Sequence, residues 1–268
     1  MILDAVQKGC RKFIIGIGGS ATTEGGIGML SALGYDFMDE NGDRLSPVFD
    51  SLEKVVQIKN NRVPEVLKDC HFQIACDVTN PLCGARGCVY VFGAQKGVKE
   101  EEKESMDRAM QSYAACLEKF TGKKLSEIPG TGAAGGLGFA FLWGLPNVEL
   151  KPGIDIVLEA VGLASELQDA DIVVTGEGCL DFQTAMGKVP VGVAKTAKNY
   201  NCKVIAFAGS VTEEAKNCNE KGIDAFFSIL PRVCSLDEAM NTEIAQKNMR
   251  NAAEQVFRLV LDLYEHKT

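Results

Sequence analysis

The chain reads as an α/β protein of two domains: an irregular α+β domain with glycine-rich loops over residues 1–160, and a Rossmann-like parallel-sheet domain portion over 161–268. Three observations predict this. From about residue 150 onward, short apolar runs alternate with helical patterns, the rhythm of right-handed crossovers over a parallel sheet. Four glycine-rich segments interrupt the chain, and each carries a carboxylate, hydroxyl or ammonium group. With 268 residues, 46% of them hydrophobic, the chain can bury one large core or two modest ones.

The elements follow in order. From Ala5 the pattern predicts a short helix ending near Gly9, then a strand from Phe13 to Ile17 that runs into glycine. GIGGSATTEGGIG gives a loop, with a helix from about Glu24 to Leu33. DENGDRL at 39–45 contains Asn-Gly and predicts a turn. HFQIACDV at 71–78 is a strand. Residues 99–120 place apolar groups at helical spacing behind a charged first turn, predicting a long surface helix. GTGAAGGLGFAFLWGLP is a glycine-alanine loop entering a buried helix that Pro146 stops. Beyond the boundary near 150–165, DIVVTGEG, KVIAFAGSV and DAFFSIL are strands. TAMGKVPVGVAKTAKNY is a helix, and the segment from Ser235 to His266 is a long amphipathic terminal helix.

Composition excludes several classes. Asp+Glu at 36 against Lys+Arg at 28 gives a net charge of −8, which argues against a nucleic-acid or anionic-membrane surface as the main partner. No apolar run approaches the roughly 18 residues of a membrane span, and the N-terminus lacks the apolar core of a secretory signal, so a cytoplasmic protein is expected. Ten cysteines without any Cys-x-x-Cys pair read as free thiols. Two histidines, His71 and His266, offer neither a zinc-ligand spacing nor a Ser-His or Cys-His triad.

Four segments can carry chemistry. In GIGGSATTEGGIG, residues Gly16, Gly18 and Ala21 fit a loose dinucleotide fingerprint with Asp36 or Asp39 as ribose partner. The better reading is an anion-binding nest in which backbone N–H groups, Ser20, Thr22 and Thr23 grip a carboxylate or phosphate. Asp77 and Asn80 follow a strand, with Arg86, Gln95 and Lys96 nearby; turn formation is the competing role. GTGAAGGLG at 130–138 is no Walker A loop, because no Gly-Lys-Ser/Thr follows. Its small residues either admit a triphosphate to a helix N-terminus or let two helices pack closely. The sharpest segment is VVTGEGCLDFQTAMGK, where Glu177, Asp181 and Lys188 supply a carboxylate for a hydroxyl, oxygens for Mg²⁺ and a cation for phosphoryl oxygens.

Together these motifs, with LKPGIDIVLEAVGL, resemble the bacterial glycerate kinase family in the same order, from about residue 2 to the AGSV at 208–211. The resemblance implies ATP-dependent, Mg²⁺-assisted phosphorylation of D-glycerate to 2-phosphoglycerate or 3-phosphoglycerate. It also implies a Rossmann-like domain and a family-specific domain with the site in the cleft between them. Position by position, the substrate- and nucleotide-binding residues become Gly18, Gly19, Ser20, Thr22, Asp77, Asn80, Lys96, Gly132, Gly135, Gly136, Gly176, Gly178 and Thr184. Asp181 is expected as base or metal ligand, Glu177 as metal ligand and Lys188 as phosphate cation.

The chain departs from the family pattern at Thr23 and Glu24, where Asn-Asp is common, and at Cys179, where Arg is common. The family's upstream strand, with its Asp-Ser-Phe-Lys-Gly and later Asp-Gly-Gly-Glu-Gly segments, has no counterpart, so the Rossmann-like sheet is expected to be incomplete at its N-terminus. A complementing N-terminal fragment or a homo-oligomer is the partner expected beside glycerate and ATP. The alternative function is a non-catalytic remnant that binds nucleotide or organic acid, or half of a split enzyme.

Overall fold

The computed structural model describes residues 1–265, so the helix end expected at His266 lies outside them. The architecture is mixed α/β with parallel sheets, in two compact units, Met1–Ile156 and Val157–Thr268.

The first unit contains, in chain order, α1 (Ile2–Gln7), β1 (Lys12–Gly16), α2 (Ile27–Ala32), β2 (Asp36–Met38), β3 (Gln57–Lys59), β4 (His71–Ala75), α3 (Cys88–Phe92), α4 (Lys103–Thr121), α5 (Ala133–Gly144) and β5 (Val148–Lys151). Helix α6 (Gly153–Ala160) runs across the division. The main sheet is parallel in the order β1-β4-β5, with Ile15 beside Ile74 and Ile74 beside Leu150. Strand period two turns Phe72 and Ile74 into the core, with Phe13 and Ile15 packed against it, while Lys12, Ile14 and Gly16 stay exposed. A short antiparallel pair, β2 with β3, forms the second sheet.

Helix α5 is apolar on every side because it lies between two cores. Phe139, Ala140 and Trp143 join one cluster, and Ala133 and Phe141 join the other. The surface helix expected over 99–120 is present as α4, with its charged face exposed and its apolar face turned into the core. It starts at Lys103 after a 3-10 turn, and Met110, Tyr113 and Leu117 on one face are wholly buried. The Tyr113 hydroxyl finds no hydrogen-bond partner there. A buried orphan hydroxyl is costly, so Tyr113→Phe is expected to stabilise the unit by about 1 kcal/mol. Urea unfolding followed by the fluorescence of Trp143, the single tryptophan, checks this.

Two other expectations change. The helix expected from Glu24 begins at Ile27, because Gly25 and Gly26 adopt left-handed φ values of 64° and 71°. Residues 17–26 therefore separate β1 from α2, and the dinucleotide fingerprint, which needs a helix directly after the strand, does not apply. Asp36, its candidate ribose partner, is instead paired with Arg62 and Arg44.

The second unit contains α7 (Leu163–Glu166), β6 (Ile172–Leu180), α8 (Phe182–Ala185), α9 (Val189–Lys198), β7 (Lys203–Val211), β8 (Ala225–Ser228), α10 (Leu236–Ala239) and α11 (Thr242–Glu265). Its sheet is parallel in the order β6-β7-β8. Val204, Ala206 and Ala208 of β7 pack on Val191, Ala194 and Ala197 of α9. The helix expected over 184–200 is split into α8 and α9 at Gly187, whose φ is 119°. The terminal helix is likewise broken at Asn241, whose Oδ1 accepts the N–H groups of Glu243 and Ile244 and so starts α11.

Candidate active site

In the first unit a cavity of about 480 Å³ opens at the carboxyl ends of β1 and β4, the edge of a parallel sheet where ligands bind. Gly18, Gly19 and Ser20 reach it from β1, Asp77 from β4, and Lys96 from the 3-10 turn Ala94–Lys96. The Lys96 ammonium donates to Ser20 Oγ at 2.8 Å and to the Thr22 carbonyl at 2.7 Å. Both acceptors are uncharged oxygens, so the cation's charge is left for something else in the cavity. Burial lowers the pKa of Lys96 below the ordinary lysine value, with Cys88 opposing. Asp77 is held by the Gly153 N–H on its Oδ1 at 2.8 Å, at the start of α6.

Other residues expected at the site hold the loops in place. Asn80 spends its amide on the Arg86 carbonyl at 2.8 Å, and its own carbonyl accepts the N–H groups of Gly130 and Gly132. A β-carbon on Gly132 would lie 2.2 Å from the Pro81 carbonyl oxygen, and one on Gly135 2.1 Å from that of Thr22. One on Gly136 would meet the Gly25 α-carbon at 2.7 Å. These glycines let two loops cross backbone on backbone, a close packing of loops where a packing of helices was the expected alternative for GTGAAGGLG. Ala134, Gly135 and Gly136 form a left-handed turn with φ of 54°, 69° and 95°, which sets Ala133 and Ala134 on the cavity wall.

One support escaped the sequence reading. Asp107, buried in α4, accepts the Gly84 N–H and the Gln111 amide, pinning the loop that follows Asp77. An acid on the apolar face of a helix, four residues before Gln111, was the available signal. Glu24, one of the departures from the family pattern noted in the sequence, lies before α2 and accepts the Gly28 N–H at 2.8 Å. Burial raises its pKa despite the opposing amides of Gly28, Gly26 and Ile27.

The second unit gathers the other set of predicted groups. Strand β6 does not stop at the glycines but runs through Gly176, Glu177 and Gly178 to Leu180. Gly176 is required there because a β-carbon would lie 2.3 Å from the Phe207 carbonyl oxygen, whereas one on Gly178 would meet nothing within 4 Å. Asp181 caps α8 and accepts the Thr184 N–H at 3.1 Å, while the Asp181 N–H donates to Thr184 Oγ1 at 3.2 Å. The Thr184 hydroxyl donates to Glu177 Oε1. Lys188 Nζ lies 3.7 Å from Asp181 Oδ1. Desolvation pushes the Asp181 pKa upward, but the Thr184 amide, Lys188 and the Gln183 amide outweigh it, and the carboxyl titrates below the ordinary aspartate value. Glu177, Asp181 and Lys188 are thus joined in one network through Thr184, which is itself fully buried.

Against known families, the glycerate kinase family model matches residues 1–261. The chain belongs to the glycerate kinase family. Among its relatives, the glycerate kinase of Halalkalibacterium halodurans is 42% identical over 255 residues, covering 94% of this chain and 67% of the relative. The glycerate 2-kinase of Escherichia coli is 44% identical over 239 residues, covering 89% of this chain and 62% of the relative. The crystal structure of a glycerate kinase 2 from Salmonella typhimurium LT2 superposes with a TM-score of 0.80 at 40% identity, covering 97% of this chain and 67% of the other. The chain therefore spans about two thirds of the length of the glycerate kinases it matches. Among the described residues, no helix is long and apolar enough to cross a membrane.

Proposed function

We propose that the chain carries the phosphotransfer chemistry of a glycerate kinase, moving the terminal phosphoryl group of ATP to a hydroxyl of D-glycerate. The observation that carries the reading is the network Glu177–Thr184–Asp181–Lys188. Phosphoryl transfer passes through a transition state in which charge spreads over the phosphoryl oxygens, so positioned cations and an oriented hydroxyl do most of the work. In this reading the Asp181 carboxylate orients the attacking hydroxyl or holds the metal, and Lys188 meets the transferring oxygens. Two hard carboxylate donors, Glu177 and Asp181, suit Mg²⁺, which keeps several waters and takes one or two protein carboxylates plus phosphates. The ion would neutralise phosphate charge.

In the first unit, the Lys96 ammonium and the Ser20 hydroxyl have the chemistry to hold the acid's carboxylate, and Asp77 can accept a hydrogen bond from a hydroxyl. Lys96→Met is expected to raise KM for glycerate about tenfold or more, with a smaller change in kcat. Steady-state kinetics at saturating ATP check it. We place the protein in the cytoplasm. A complementing segment or a second copy of the chain belongs to the same reading, and sedimentation of the purified protein tests it.

The deciding experiment is ADP release by the purified 268-residue chain. Release that requires both D-glycerate and Mg²⁺ supports the kinase reading. Ligand-dependent thermal shifts without turnover would replace it with a binding protein. NMR of the product assigns the phosphoryl group to the 2- or the 3-hydroxyl.

A further inference from the structure

Thr184 was expected to touch ligand, yet its side chain is fully buried and its hydroxyl is already committed on both sides. That oxygen gives its proton to the Glu177 carboxylate and accepts the Asp181 N–H. The Thr184 N–H closes the ring on Asp181 Oδ1, which also lies 3.3 Å from the hydroxyl. Glu177 sits within β6 and Asp181 one residue beyond its end, so their side chains have no reason to share an orientation unless something fixes both. One threonine does so, its hydroxyl on Glu177 and its N–H on Asp181.

We propose that Thr184 is a positioning residue that locks the two carboxylates to each other. The proposal rests on the kinase reading above. Substrate and nucleotide need not reach Thr184. Its hydroxyl holds Glu177 in one rotamer while its amide holds Asp181, so the pair presents oxygens in a fixed geometry to whatever cation or hydroxyl binds there. A displacement of about 1 Å in such a group costs on the order of 10²-fold in rate.

The test compares Thr184→Val, which keeps the shape and removes the hydroxyl, with Thr184→Ser, which keeps the hydroxyl and removes a methyl. Thr184→Val is expected to lower kcat by about 10- to 100-fold with KM for glycerate and for ATP little changed, and to raise the Mg²⁺ concentration needed for half-activation. Thr184→Ser is expected to restore most of kcat. A structural role alone would give both variants a lower melting temperature without this split between kcat and KM. Should Thr184→Val fail to fold, Thr184→Ala against Thr184→Ser gives the same contrast.

Three results would overturn the proposal: kcat in Thr184→Val within twofold of wild type, loss in Thr184→Ser equal to that in Thr184→Val, or a rise in KM at constant kcat. Asp181→Asn separates the two failures. If it abolishes turnover while Thr184→Val does not, the positioning role falls and the kinase reading stands. If the wild-type chain releases no ADP with glycerate, both fall.

Discussion

Asp181→Asn is expected to lower kcat by about 10² to 10⁴-fold, the range lost when a positioned carboxylate that orients or deprotonates a nucleophile is neutralised. The substitution is close to isosteric and keeps an oxygen able to accept the Thr184 N–H, and asparagine is as good a helix N-cap as aspartate. The melting temperature should therefore stay near that of the wild type, so the loss reports charge. Because the Thr184 amide and Lys188 outweigh desolvation and hold the carboxyl below its ordinary pKa, Asp181 is ionised throughout the neutral range. A group with a depressed folded-state pKa gives its charged contribution above the ordinary value and loses it as pH falls through the folded value. The acidic limb of kcat/KM governed by Asp181 should lie below the ordinary aspartate range. A carboxylate that weakly basic removes a proton poorly at neutral pH, which favours orienting the hydroxyl or binding Mg²⁺ over full deprotonation. Partial recovery of Asp181→Asn at high Mg²⁺ would point to metal binding. Full turnover at ordinary Mg²⁺ would take Asp181 out of the chemistry.

The parallel sheets were legible because strand and helix leave different periods in the sequence. KVIAFAGSV appears as β7 over the expected span, Lys203–Val211, and Glu177, Asp181 and Lys188 do come together in one network. What was hidden depended on partners far along the chain. A glycine reads as a loop from its own neighbours, yet Gly176 lies inside β6 because the Phe207 backbone crosses it. Thr184 reads as a phosphate-loop hydroxyl until its burial is known. Helix α4 carries the charges of a surface helix on one face and a complete core face on the other, and only packing against α5 distinguishes the two. Lys96 was visible as a cation near a glycine loop, but its contacts with Ser20 and Thr22 span more than seventy residues of sequence.

Gly135→Ala should be the most damaging of the small substitutions in the first unit. Gly135 has a φ of 69°, which costs a residue with a β-carbon about 1 to 2 kcal/mol. The new methyl would also sit 2.1 Å from the Thr22 carbonyl oxygen and 2.7 Å from the Thr23 α-carbon, and backbone cannot yield as a flexible side chain can. Relieving such an overlap costs roughly a further 1 to 3 kcal/mol, and the total is a large share of the about 5 to 15 kcal/mol that holds a domain folded. The Gly25 N–H donates to the Gly135 carbonyl at 2.9 Å, so the strain spreads into the loop that carries Ser20. Gly16→Ala is the control, since a β-carbon there meets nothing within 4 Å and the backbone is not left-handed. Trp143, buried in the core of the same unit, reports the urea midpoint of both variants. The expected result is a large fall for Gly135→Ala beside a small change for Gly16→Ala. The Thr22 carbonyl pushed by the new methyl is also an acceptor of the Lys96 ammonium, so the fraction of Gly135→Ala that remains folded should show a raised KM for glycerate. Equal midpoints for the two variants would mean that the loop crossing yields without cost, and the glycines at 135 and 136 would then have to be explained by a ligand rather than by packing.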